Sequence, residues 1–298
     1  MYGNRPFWCR TQRRLVERRS KKTRCGSARC SKRTETETGA TDWQMGQLAL
    51  IWDGTWLTWS AHDAPDTIAR REISSPSMVK EVLKALRKQV APGTAVIHAE
   101  WARPATAIPS ALLNSPWEKE AVTKLHETLH GPIKTSFEVQ LHSLDAIDDQ
   151  PCLALEGDLN WEQSLMDVFP HARRVPVIHA LVHDALQMNR RDGHRGWTFR
   201  ADVRAEGAVM VALAGEHLQW VHHLKAGCSA EDALYAMVNV AHRAGVGMET
   251  CRACWSGEAE FAQGWSRFLE VQAVSEVSSS RASNASWRAL FQSMKACA

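Results

Sequence analysis

Residues 197–244 constrain the fold more than any other stretch of the chain. Trp197, Phe199, Ala201 and Val203 alternate with Thr198, Arg200, Asp202 and Arg204, the period-two pattern of a strand with two different faces. β-rich runs at 208–213 and 218–224 follow, joined by turns at 205–207 and 214–216. Ser229 then caps a helix with Asp232 three positions on; Leu234, Met237, Val238 and Ala241 form its stripe and Gly245 its stop. A weaker copy of the same order begins at Gln47. Runs at 47–52 and 55–60 flank Asp53-Gly54, a strong short hairpin signal. A third strand is expected over 66–72. Ser75-Pro76 then opens a helix with Val79, Val82, Leu83 and Leu86 inward. A two-residue Asp-Gly turn sets Ile51 opposite Trp56, Leu50 opposite Leu57 and Leu48 opposite Trp59. Leu48, Leu50, Trp52, Leu57 and Trp59 then share the core face. A β-β-β-α unit used twice predicts two α/β lobes, each built on its own meander.

The chain of 298 residues is long enough for two cores, burying roughly 70–75% of the unfolded surface. We expect a tail over 1–45, a first lobe over 46–193 and a second over 194–298, with 190–196 as the polar joint. Further strands are expected at 94–98, 133–141, 152–156 and 248–255. Helices are expected at 115–130, opened by the Ser115-Pro116-Trp117-Glu118 capping box, and at 161–169, 176–188, 258–269 and 286–297, with a Ser-rich loop over 274–286. No apolar run reaches the ~18–20 residues needed to span a bilayer. Eight cysteines are too few for a disulfide scaffold, which predicts a reducing cytoplasm.

The net charge of +3 conceals an asymmetry. Residues 1–40 carry twelve Lys/Arg against three Glu, leaving 24 basic and 30 acidic residues in the remainder. The tail shows no apolar periodicity, so it is expected to be disordered. It points only weakly to nucleic acid through its clustered cations. A transit peptide is a second reading. Met45 is an alternative start, in which case residues 1–44 are upstream sequence.

Three motifs carry possible chemistry. His126-Glu127-Thr128-Leu129-His130 matches the zinc-protease pattern, with His126 and His130 as metal ligands and Glu127 as general base. On a helical wheel, however, Ala121, Val122, Leu125 and Leu129 define the buried stripe, His126 and His130 its flank, and Glu127 the wet side. The expected metal set is therefore none. Cys251-Arg252-Ala253-Cys254 has redox spacing but falls inside a strand rather than at a helix start, which favours inert thiols. Thirteen tryptophans against two tyrosines are expected to supply core bulk rather than a stacking site.

From Gln47 to Cys297 the chain resembles a bacterial family catalogued as domain of unknown function 3822. The resemblance lies in Pro104-Ala-Thr-Ala-Ile-Pro-Ser-Ala-Leu-Leu113, Val168-Phe-Pro-His-Ala172, Ala230-Glu-Asp-Ala-Leu-Tyr235 and Leu290-Phe-Gln-Ser-Met-Lys-Ala-Cys297. More distantly, 152–244 is similar in layout to the actin homologues of pilus assembly and cell division. The resemblance implies a two-lobed actin-like fold, that is, a duplicated ribonuclease-H-like α/β architecture. It also implies where a nucleotide would sit, around Asp53, Thr55, Asp202 and Gly257. The phosphate loops are nonetheless altered. Asp53-Gly54-Thr55 is one residue short of Asp-x-Gly-Thr. Arg204 replaces the glycine two residues after Asp202, and Ser256-Gly257-Glu258 replaces a Gly-Gly. The expectation is a degenerate ATPase with no catalytic residues and no cofactor. It would act as a binding or scaffold protein for an unknown protein partner. The alternatives are a nucleotide-binding ATPase using the interlobe cleft, and a zinc hydrolase at His126, Glu127 and His130.

Overall fold

The computed structural model describes residues 46–61, 68–101, 103–108, 113, 118–144, 147, 152–257, 264–273 and 285–298. The expectations for the tail, for the capping box at 115–117 and for most of the loop at 274–286 lie outside them. In chain order the strands are β1 (Gln47–Trp52), β2 (Trp56–Ala61), β3 (Ile68–Glu72), β4 (Ala95–Glu100), β5 (Ala105–Ile108), β6 (Phe137–Ser143) and β7 (Cys152–Asp158), followed by β8 (Arg173–Arg174), β9 (Trp197–Arg204), β10 (Gly207–Ala214), β11 (His217–Lys225), β12 (Cys251–Gly257) and β13 (Glu270–Ala273). The helices are α1 (Pro76–Gln89), α2 (Glu118–His130), α3 (Leu159–Met166), α4 (Val177–Asp192), α5 (Ala230–Arg243) and α6 (Ala285–Ala296).

Two five-stranded sheets share one topology. The first runs β3-β2-β1-β4-β8 and the second β11-β10-β9-β12-β13. Each is an antiparallel meander whose first strand pairs in parallel with the strand that follows the crossover helix. The two meanders lie in separate sheets, as the repeated unit predicts. A third sheet, β5-β7-β6, has its middle and outer strands in the sequence pattern, but β5 is too short to announce itself. The expected helix over 258–269 shows, in its described part, only a single 3₁₀ turn at Trp265–Arg267. β13 follows within a segment where no strand was expected.

The first hairpin corrects the expected register. Leu50 pairs with Trp59 and Trp52 with Leu57, two positions away from the Asp-Gly alignment. Asp53 Oδ1 accepts from the backbone N–H groups of Thr55 and Trp56, at 2.8 and 2.6 Å. This draws Asp53 into the ladder opposite Trp56 and leaves Gly54-Thr55 as the loop. Gly54 takes φ +100°, a conformation open to glycine. A slip of two preserves face parity. Leu48, Leu50, Trp52 and Leu57 therefore share the expected core, with Trp59 packed against it. The opposite face, carrying Ala49 and Ile51, is buried as well, which explains the nearly continuous apolar run of a central strand.

Helices cover three layers. α1 and α3 pack on the outer face of the first sheet around Val82, Leu83 and Leu165. α5 covers the outer face of the second with Ala233, Met237 and Ala241; its capping box has both arms formed. α4 and α6 fill the space between the sheets. A single cluster joins Ala49, Ile51 and Ile97 of the first sheet to Val209, Val211 and Leu213 of the second through Leu181, Ala185, Leu290 and Phe291. α4 ends where Gly193 turns left-handed at φ +65°.

This middle layer makes a sharp test possible. Leu290 on α6 is fully buried between the sheets. Leu290→Ala should lower the unfolding free energy by about 2–5 kcal/mol, measured by urea denaturation. A loss below about 1 kcal/mol would mean α6 is not part of the shared core.

Candidate functional site between the two hairpins

Thr198, Arg200, Asp202 and Arg204 form the polar face of β9, yet each is 1% exposed or less. That face meets α4 and α6 rather than solvent. Arg200 and Thr198 are partnered from α4, whereas Asp202 and Arg204 pair with each other along the strand. Arg200 donates to Asp184 of α4 at 3.0 Å, and Ser293 of α6 donates to the same carboxylate at 2.6 Å. Thr198 donates to Asn189 at 2.7 Å. Arg252, one strand away, reaches Asn189 at 2.8 Å and Asp192 at 2.7 Å.

At the end of this row lies the position the resemblance assigns to phosphate. Arg204 Nη2 donates to Asp202 Oδ2 at 3.0 Å, and Arg204 Nε lies 2.6 Å from Asp202 Oδ1. Ser256 Oγ donates to Asp202 Oδ2 at 2.6 Å. The guanidinium of Arg204 sits 3.5 Å above the ring centre of Trp287 and 5.2 Å from that of Trp101, a close cation–π arrangement. Gly257 ends β12 at φ +103°, and a Cβ there would lie 2.0 Å from the carbonyl oxygen of Val203.

Arg70 of β3 ties the two hairpin turns together. It pairs with Asp53 in the first, at 3.4 Å, and with Glu206 in the second, while its guanidinium stacks 4.6 Å over Trp56. Burial pushes the Asp53 carboxyl up, opposed by its two backbone N–H bonds and by Arg70. Thr55 is exposed at the turn. The structure thus brings Asp53 and Asp202 into one linked network, in which Thr55 and Gly257 contribute backbone. Arg70, Trp101 and Trp287 complete it, and no sequence pattern marks them as its members. ATP and Mg²⁺, which the fold would imply, do not fit these residues: Arg204 fills the space a glycine would leave, and both carboxylates are already paired to arginine.

A second polar knot lies at the end of β4. Glu100 is 5% exposed. It accepts from Arg103 at 2.9 Å, Arg174 at 3.2 Å and the backbone N–H of Asp158 at 3.1 Å. Burial raises its carboxyl, and Arg174 and Arg103 work against that rise.

The His126 motif is placed differently from its helical wheel. α2 is rotated so that Val122 and His126 are buried and Leu129 is 60% exposed. His126 Nδ1 lies 2.9 Å and His130 Nε2 3.1 Å from Thr106 Oγ1 on β5. Glu127 points away and accepts from the Ile133 N–H at 3.4 Å, beyond the helix end. The rings of His126, His130, His223 and His222 follow one another at 4.6, 5.7 and 6.3 Å, linking α2 to β11. Glu156 lies 3.5 Å from His126 Nε2, and its carboxyl is held low mainly by His126. Among the described residues, no group of three or more His, Cys, Asp or Glu is arranged to hold a metal ion. Cys251 and Cys254 are buried in β12. Burial pushes both thiols up, that of Cys254 to about 11, which disfavours the reactive thiolate.

No family model matches the chain, and no curated protein does. Solved structures do. A Bacteroides thetaiotaomicron protein with actin-like ATPase fold and unknown function matches at TM-score 0.63 and 14% identity, covering 85% of this chain and 96% of that one. The PilM–PilN type IV pilus biogenesis complex matches at 0.47 and 13%, covering 82% and 89%. The cytoplasmic domain of EpsL, from the type II secretion system of Vibrio cholerae, matches at 0.45 and 10%, covering 84% and 95%. The chain has the actin-like ATPase fold. Among its described residues no helix is long and apolar enough to cross a membrane.

The histidine chain makes stability depend on pH. Burial lowers His130 and His222, and takes His223 from 6.5 to about 4 with help from its histidine neighbours. Below pH 6.5 the unfolded chain therefore takes up protons that the folded chain refuses. This stability is present in full above 6.5 and is lost as pH falls toward about 4. His223→Gln should flatten that loss, read as a smaller drop in urea midpoint between about pH 7 and about pH 4.5 than in the parent. The raised carboxyls of Asp53 and Glu100 act in the opposite sense but are common to both proteins. Equal drops would remove His223 as a contributor.

Proposed function

We propose that this chain is a non-catalytic binding or scaffold protein on the actin-like fold, acting through a protein partner. The observation that carries this reading is Arg204. Its guanidinium is buried against Trp287 and paired to Asp202, where a phosphate-binding glycine would otherwise leave space. To admit a triphosphate, Arg204 would have to leave Asp202 as a lone buried charge, a state costing several kcal/mol. The residues to which a nucleotide would be assigned, Asp53, Thr55, Asp202 and Gly257, are accounted for by turn, ion-pair and strand geometry. We further propose lobes over 46–193 and 194–298, a basic tail over 1–45, and membership of the domain of unknown function 3822 family. A cytoplasmic site is consistent with the free thiols of Cys152, Cys228, Cys251, Cys254 and Cys297.

The reading is tested by titrating the full chain with ATP–Mg²⁺ in a calorimeter, alongside a phosphate-release assay. No saturable heat and no turnover are expected. Arg204→Ala should destabilise the protein by about 3–5 kcal/mol by stranding Asp202, without creating turnover. Micromolar ATP affinity in the parent, with turnover abolished by Asp202→Ala, would overturn the proposal.

A further inference from the structure

A cavity opens beside the second hairpin, where Lys225 pairs with Gly207 and the Gly227 N–H donates to the Ala205 carbonyl. It is a groove of about 680 Å³ between β11 and α5. β11 presents Trp220, His222 and Leu224 to it, alternate residues and therefore one face of the strand. α5 presents Ala236 and Val240 as an apolar wall and Tyr235 at the lip, 72% exposed. β11 runs out at Lys225 and the chain turns back into α5, so Lys225 and Arg243 stand toward opposite ends. From Asp232 to Arg243 the helix wall is about 16 Å long at 1.5 Å per residue. That matches about five residues of extended peptide.

Charge decides the class of occupant. Lys225 and Arg243 are exposed and form no ion pair among the described residues. The one carboxylate in the lining, Asp232, is spent on the helix cap, accepting from Ser229 N–H at 2.8 Å and Ser229 Oγ at 3.0 Å. The groove is thus a cationic site with an apolar floor on a body that is acidic outside residues 1–40. The basic tail of this chain would be repelled by it. A single-stranded nucleic acid asks for successive free rings and a track of cations. Here Trp220 is already stacked on His222 at 5.0 Å, and the cations number two in the lining.

We propose that the β11–α5 groove docks an acidic peptide segment of a partner protein. One apolar side chain of the peptide would rest on Leu224 and Val240 and its carboxylates on Lys225 and Arg243. The proposal rests on the scaffold reading and gives its partner a chemistry; because the side chains of Lys225, Tyr235 and Arg243 take no part in the Asp53–Arg70–Glu206 and Asp202–Arg204 pairs, the ATP titration and the peptide assay can fail separately.

The test uses the full chain and fluorescence anisotropy. The probes are a library of fluorescein-labelled decapeptides, each mixing Asp or Glu with Leu, Phe or Trp. A matched library replaces every acid with Lys, and a decamer of uridylate serves as the nucleic-acid probe. Acidic peptides should bind and Lys peptides should not. Lys225→Glu with Arg243→Glu should weaken binding roughly tenfold or more, and Tyr235→Ala should weaken it less. All three positions are exposed, and unchanged circular dichroism would establish that the variants fold. The proposal fails if no acidic peptide binds below about 1 mM, or if the double variant binds as the parent does. It also fails if the uridylate decamer outcompetes every peptide, or if sedimentation shows a second copy filling the groove.

Discussion

Burying the polar face of β9 is the constraint on which the rest of this molecule depends. Two arginines, an aspartate and a threonine are taken out of water on one strand. Each unpaired charge among them would cost several kcal/mol. The cost is met because α4 brings Asp184 to Arg200 and Asn189 to Thr198, α6 brings Ser293 to Asp184 and Trp287 to Arg204, and Asp202 pairs with Arg204 and accepts from Ser256. Neither helix can shift along the sheet without breaking several of these bonds at once. The polar row therefore sets the seating of the middle layer, and the apolar cluster of Leu181, Leu290 and Phe291 packs in the space so defined.

The same logic holds the hairpins together. Here Arg70 spans the gap, from Asp53 of the first turn to Glu206 of the second, and Arg204 lies against Trp101 and Trp287. Such a side-chain bridge is present without any ligand.

How much of this the sequence carried depended on the range of the interaction. The meanders, the caps at Ser75 and Ser229 and the inward stripe of α1 are local, and period and capping chemistry revealed them; on α5 they found Met237 and Ala241, but Ala233 rather than Val238 completes the buried face. The register of β1 on β2 was missed by two because Asp53 spends its side chain on the turn, a choice the Asp-Gly pair alone does not dictate. β9 was legible as two-faced, but alternation cannot tell a wet polar face from one roofed by helices. His126 was misplaced for a related reason. Leu129 counted toward the buried stripe of α2, whereas Thr106 on β5 gave the histidine a hydrogen-bonding partner inside. The partnership of Arg70 with Glu206 joins positions far apart in the chain, and no local pattern marks such a pair.

Residues that survive from a ligand site are weak evidence for the ligand when the fold itself needs them. Gly257 illustrates this. Any side chain there would press on the Val203 carbonyl, 2.0 Å from its Cβ, so glycine is required by the parallel pairing of β12 with β9 whether or not a phosphate ever approaches. Asp53 closes its own turn through Thr55 and Trp56. Asp202 is the counter-charge that lets Arg204 be buried. With Arg204 buried in the second hairpin, removing Asp202 would strand a guanidinium beside Trp287 and Trp101. Asp202 and Arg204 are therefore a single structural unit: the acid is needed wherever the arginine is buried, whatever ligand the hairpin does or does not meet.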